Sequence, residues 1–150
     1  MSKTMSLRLT DQQLSSVEKW RRRFNQRSTS AALQLLLEEK LREEEYTHIS
    51  FRDSAAGREA YLMGTGLAVW EVVLVNRAYQ GDIAQTAEHL GIPETLVHAA
   101  LNYANDFQQE IGAELAEVDA TDFDALRRLL PGIRQTTVPK EFEIGPRAVT

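Results

Sequence analysis

A chain of 150 residues, 43% apolar and 26% charged, has material for a folded core and suits one or two small domains. It contains no cysteine, which excludes a disulfide framework and any cysteine-ligated metal. The net charge of −5 conceals an asymmetry. Residues 1–27 hold Lys3, Arg8, Lys19, Arg21, Arg22, Arg23 and Arg27 against Asp11 and Glu18, a net +5, which leaves −10 for the remainder. A basic head on an acidic body directs any polyanionic partner to the head. No apolar run approaches the ~20 residues of a membrane span, and the N-terminus lacks the pattern of a secretory signal. A cytoplasmic protein with no membrane partner is expected.

In residues 4–9, Met5, Leu7 and Leu9 alternate with Thr4, Ser6 and Arg8, the period of a strand. Thr10-Asp11-Gln12-Gln13 then spells a capping box. A helix carrying Leu14, Val17, Trp20 or Arg21, and Phe24 is predicted to run to about Asn25. Ser28, Thr29 and Ser30 are N-cap candidates for a second helix, whose stripe is Leu33, Leu36, Leu37 and Leu41. It fades into Glu43-Glu44-Glu45, a solvated end. A lone six-residue strand is not stable. The shortest remedy is the same strand from a second copy.

This order of strand, helix, Arg-Ser-x-Ser turn and helix resembles the ribbon-helix-helix family of bacterial repressors and antitoxins, over the first third of the chain. The resemblance implies a dimer whose paired strands form an antiparallel β-ribbon in the major groove of operator DNA, a known docking mode. Alternation sends Thr4, Ser6 and Arg8 to one ribbon face, doubled by symmetry. Arg8 suits a bidentate contact to guanine, and Ser6 and Thr4 suit either base type. Met5, Leu7 and Leu9 face the helices. Backbone N–H groups at Ser28, Thr29 and Ser30 are expected to meet a phosphate, joined by Lys3 and Arg27. The Arg21-Arg22-Arg23 run suits either DNA or the negative end of its own helix.

Residues 46–66 lack helical pattern. Ile49, Phe51, Tyr61 and Met63 fit short strands, and Gly57, Gly64 and Gly66 mark turns. Helical pattern returns with Val69, Trp70, Val73 and Leu74 and stops near Gly81. Asp82 caps a helix with Ile83, Ala84, Ala87 and Leu90, which Gly91 ends. A longer helix is predicted from Glu94 to Ile111. The spacing is that of a helix-turn-helix. Its second helix offers Thr95, His98, Asn102 and Asn105 but no Lys or Arg, and residues 51–113 hold three basic side chains against eight acidic ones. Repulsion from phosphates favours packing or dimerisation over DNA contact here.

Gly57-Arg58-Glu59-Ala60-Tyr61-Leu62-Met63-Gly64-Thr65-Gly66-Leu67-Ala68-Val69 and Ala100-Leu101-Asn102-Tyr103-Ala104 are also similar to a small family of antitoxin-associated domains. Glu59 stands where that family has Pro, and Gly66 where it has Arg. The resemblance implies a partner of the PIN-like ribonuclease toxin class.

Residues 121–130 predict a short capped amphipathic helix with Phe123, Leu126, Leu129 and Leu130 on one side, ended by Pro131-Gly132. Beyond it, Ile133 and Phe142 mix with Arg134, Lys140 and Arg147. Antitoxin tails commonly order on a toxin. The resemblance makes these nine residues the candidate partner surface, with the basic three facing the toxin's acidic site. Docking on the chain's own dimer is equally open.

His48, His89 and His98 have no metal-ligand spacing, and no nucleophile elbow, phosphate loop or dinucleotide fingerprint occurs. Neither catalysis nor a cofactor is expected. Trp20 and Trp70 fit the core or a dimer interface.

The expected architecture is mainly α. Residues 1–46 are read as a ribbon-helix-helix module, 47–113 as a helix-turn-helix-like domain, and 114–150 as an amphipathic helix with an extended partner-binding tail. The expected function is a DNA-binding antitoxin of a type II toxin–antitoxin system. It would repress its own operon as a homodimer or higher even oligomer and neutralise a cognate toxin through its C-terminal region. The rivals are a stand-alone repressor with a C-terminal oligomerisation domain, and an interaction protein that uses the ribbon only to dimerise.

Overall fold

The structure is a computed structural model that describes residues 1–120. The amphipathic helix and tail expected at 121–150, with Phe123, Leu126, Leu129, Leu130, Ile133, Arg134, Lys140, Phe142 and Arg147, lie outside the described residues. Those described are mainly helical, with one small antiparallel sheet. In chain order they form α1 (Asp11–Arg23), α2 (Thr29–Glu45), β1 (Ile49–Ser54), β2 (Gly57–Leu62), α3 (Val69–Ala78), α4 (Ile83–Leu90), α5 (Glu94–Asp106) and α6 (Gln108–Ala120). None of the helices among them is long and apolar enough to cross a membrane.

Local chemistry sets most boundaries. Thr10 Oγ1 accepts the Gln13 N–H at 3.2 Å, and Gln13 Oε1 accepts the Thr10 N–H at 2.9 Å, which closes the capping box at α1. Asp82 Oδ1 accepts the Gln85 N–H at 2.9 Å and starts α4. Gly91 ends that helix in the left-handed region, at φ 65°, where glycine has no Cβ penalty.

The hairpin pairs Ile49 with Leu62, Phe51 with Ala60, Arg52 with Glu59 and Asp53 with Arg58. Strand alternation gives it two working faces. Ile49, Ala60 and Leu62 enter the core, and Phe51 packs edge-on to Tyr103 of α5. On the other face, Glu59 accepts from Arg52 Nε at 2.8 Å and from the buried indole N–H of Trp70 at 3.3 Å. Glu59 is thus a buried acceptor at a strand position.

The core joins the hairpin to α3–α6. Val69, Val72, Val97, Ala100 and Tyr103 are wholly buried, and Trp70 and Ala87 nearly so. Asn76 Nδ2 donates to Thr86 Oγ1 at 3.1 Å, and that hydroxyl donates to the Asp82 carbonyl at 2.6 Å. This satisfied buried pair ties α3 to α4.

The single helix expected from Glu94 to Ile111 is two helices. Phe107 leaves helical geometry at φ −117°, ψ 47°. Its ring packs on Tyr103, with centroids 4.6 Å apart, and lies 3.8 Å from the Arg42 guanidinium carbon. The turn brings Ile111 and Leu115 into the core, where a straight helix would carry them away. α6 then runs to Ala120, across the expected 113/114 junction.

α2 ends at Glu45 and is tied to later residues by ion pairs and hydrogen bonds. Arg58 Nε and Nη2 donate to the two carboxylate oxygens of Glu39 at 2.8 and 2.7 Å. Arg42 Nη1 donates to Tyr103 Oη at 2.8 Å and to Glu110 at 2.6 Å, while Nη2 reaches Glu38. Tyr46 donates its phenol proton to Asp106 at 2.7 Å, which pushes that phenol up to about 12.

Candidate nucleic-acid interface

Residues 1–10 form no strand and no helix within one chain. Lys3, Thr4, Ser6 and Arg8 are all exposed. On the alternate positions, Met5 is 81% and Leu7 63% exposed, and Leu9 is half-buried. The arm therefore keeps an apolar and a polar set of side chains, with the apolar set uncovered.

The helices behind the arm are equally open. α1 buries no residue, and α2 buries only Ala32 and Glu39. Leu14, Leu37 and Leu41 are exposed, and Leu33 and Leu36 are half-buried. The stripe that α2 was expected to bury is thus largely uncovered in one chain. Trp20 is half-buried and packs against Phe24 with the rings tilted by 54° and centroids 4.2 Å apart. Trp70, by contrast, is core.

Ser28 and Ser30 are exposed, as is Arg27. The Ser28 hydroxyl oxygen accepts the Ala31 N–H at 3.1 Å, so one backbone donor is taken by the helix's own cap. The Thr29 hydroxyl donates to Glu18 of α1. That contact, with Arg21 Nε on the other carboxylate oxygen at 2.9 Å, holds the Glu18 carboxyl below its ordinary value. A carboxylate therefore already sits beside the positive end of α2. Spacing along the sequence did not point to it, because Glu18 and Thr29 lie on different helices.

The arginine run divides by task. Arg21 Nη1 donates to the Gln26 carbonyl at 3.2 Å and closes the end of α1. Arg23 reaches across to Asp53 on the hairpin at 2.6 Å. Arg22 is exposed. Burial works to raise the Asp53 carboxyl, but hydrogen bonds from Arg58 and Arg23 outweigh it and hold it below its usual value.

The helix-turn-helix-like unit presents a different surface. Thr95, His98, Asn102 and Asn105 are exposed on one side of α5. They line an open cleft of about 660 Å³ with Glu45, Thr47, His48 and Asp106. No lysine or arginine lines it. His89 is exposed and shares a 2.9 Å hydrogen bond with the Tyr79 hydroxyl. Among the described residues no group of three or more His, Asp or Glu side chains is placed to hold a metal ion.

Comparison with known protein families, characterised proteins and solved structures found no match for this chain.

Proposed function

We propose that this protein is a DNA-binding repressor that works as a homodimer through an intermolecular β-ribbon of residues 4–9, with the two helices behind it forming a ribbon-helix-helix head. The observation that carries the reading is the uncovered apolar surface of the head. Met5, Leu7, Leu14, Leu37 and Leu41 are exposed in one chain, on a segment whose backbone lacks a strand partner. Exposed apolar side chains gathered in one part of the chain call for a partner. A second copy covers it and completes the strand pair at once, and each Leu or Met so buried contributes about 1.5–3 kcal/mol.

The same pairing brings two copies of Thr4, Ser6 and Arg8 to one face, with Lys3 and Arg27 as flanking phosphate contacts. The five-residue set lies in the part of the sequence that carries net positive charge. The acidic body and its cation-free cleft direct DNA to the head rather than to α5.

Within that reading we take the protein to be an antitoxin. It represses its own operon through the ribbon and neutralises a toxin, of the PIN-like ribonuclease class, through its C-terminal region. The residue patterns at 57–69 and 100–104 support this step.

A mobility shift on the protein's own promoter at stated salt tests the first level. Arg8→Ala should abolish specific binding and leave the dimer intact. Unchanged binding by that variant would overturn the ribbon assignment. Removing 121–150 should abolish toxin neutralisation and spare DNA binding. Rescue from the toxin by the shortened chain would sink the tail assignment.

A further inference from the structure

Helix α6 docks through Ile111 and Leu115, both buried, with Val118 packed against the same core. Glu114 lies on this face, at a position where the helical pattern calls for an apolar side chain. Its Oε2 is shut off from solvent and has no hydrogen-bond donor. An ionised carboxylate there would hold a desolvated oxygen with no donor.

The surroundings offer no relief. Glu110 and Glu117 of α6 itself and Glu59 of β2 all act on Glu114 with the same sign of charge. α3, which packs on α6, brings Glu71, itself raised by burial. The guanidiniums of the region are committed elsewhere. Arg52 serves Glu59 and the Gly66 carbonyl, and Arg42 serves Glu110, Glu38 and Tyr103. The Tyr103 phenol of α5 donates to Glu110 at 3.1 Å.

We infer that α6 is a proton-governed latch: with Glu114 neutral the helix seats on α3 and the hairpin, and with Glu114 ionised it lifts from them more readily. Burial first, then Glu110, Glu59 and Glu117, push the Glu114 carboxyl up to about 8. The latch therefore works from neutral to mildly alkaline pH. The seated state holds one proton that the lifted state releases. The lifted population accordingly grows by about tenfold per pH unit between pH 6 and 8 and levels off above.

Hydrogen exchange at the amides of residues 111–118 in the full chain tests this. Wild type and Glu114→Gln are compared at each pH, so the intrinsic dependence of exchange cancels. The ratio of wild-type to variant exchange should rise about tenfold per unit from pH 6 to 8. Ratios that stay constant across the range would overturn the latch. A carbon-13 carboxyl titration of the unsubstituted chain decides the matter even where the variant folds poorly. A Glu114 midpoint above the ordinary carboxylate range supports the protonated seated state, and a midpoint in the ordinary range overturns it.

Discussion

Arg58 holds Glu39 in a forked contact, Nε to one carboxylate oxygen and Nη2 to the other, at 2.8 and 2.7 Å. The pair joins β2 to α2, and both side chains are largely withdrawn from solvent. Two parallel charge-assisted bonds are strong and geometrically selective. Removing one partner leaves the other charge buried and unpaired. Arg58→Ala should therefore lower the unfolding free energy by about 2–4 kcal/mol, read from urea midpoints. Arg58→Lys should recover little, since an ammonium lacks the fork. A loss under half a kilocalorie would show that the pair is incidental.

Glu18 predicts a gain rather than a loss. Its carboxylate stands beside the start of α2, where the proposed dimer meets a phosphate. Glu18→Gln removes that repulsion in both copies and retains an acceptor for Thr29. Operator affinity should rise about three- to thirtyfold at low salt. Unchanged affinity would place the phosphate elsewhere.

Salt dependence separates flanking contacts from base contacts. Lys3→Ala and Arg27→Ala should each reduce the slope of log affinity against log salt by about 0.9 per protomer, hence about 1.8 per dimer. Discrimination between operator and unrelated DNA should survive. Loss of discrimination with an unchanged slope would assign those residues to bases.

Leu7→Asp places a charge on the apolar side of the arm. Sedimentation should show dissociation into single chains at concentrations where wild type is dimeric. The packing of residues 49–118 does not depend on the arm, so the Trp70 environment, read by fluorescence in a Trp20→Phe background, should not change. A dimer that persisted would move the interface off the arm.

Acid and alkali should loosen opposite ends of the molecule. The depressed carboxyls of Glu18 and Asp53 give the head contacts a contribution that is present above the unfolded pKa and lost as pH falls through the folded one. The raised carboxyls of Glu71 and Glu114 have the reverse sign. Their contribution is complete below the unfolded value and is lost as pH rises toward the folded one. Amide shifts followed by NMR should move first in α1 on acidification and first in α6 on alkalinisation. The opposite order would contradict these signs.

Much of this fold is legible in the sequence because the signals are local. Thr10 and Gln13, Asp82, and Gly91 fix helix ends through contacts within a few residues, and Ile49, Phe51 and Tyr61 mark short strands, although Met63 falls just beyond β2 and their pairing as a hairpin is not legible there. The break at Phe107 is hidden because apolar spacing runs unbroken through it to Ile111. Only packing against Arg42 and Tyr103 makes the turn worthwhile. The ion pairs between α2 and the body link residues 19 and 68 positions apart, which no periodicity encodes. At the proposed interface, alternation alone singles out Thr4, Ser6 and Arg8. The placement of Glu18 needed the angle between two helices.

α2 contributes its first turns to the head and its last turns to the body. Its 17 residues make a rod about 25 Å long, tied to the body over its second half by Glu39 and Arg42 and at its C-cap by Tyr46. A rod of that length is a lever. A tilt of about 5° at the arm end displaces the other end by about 2 Å, the scale on which a hydrogen bond is made or lost. A change in the tilt of α2 at the head is thus felt at the Arg42–Glu110 contact with α6.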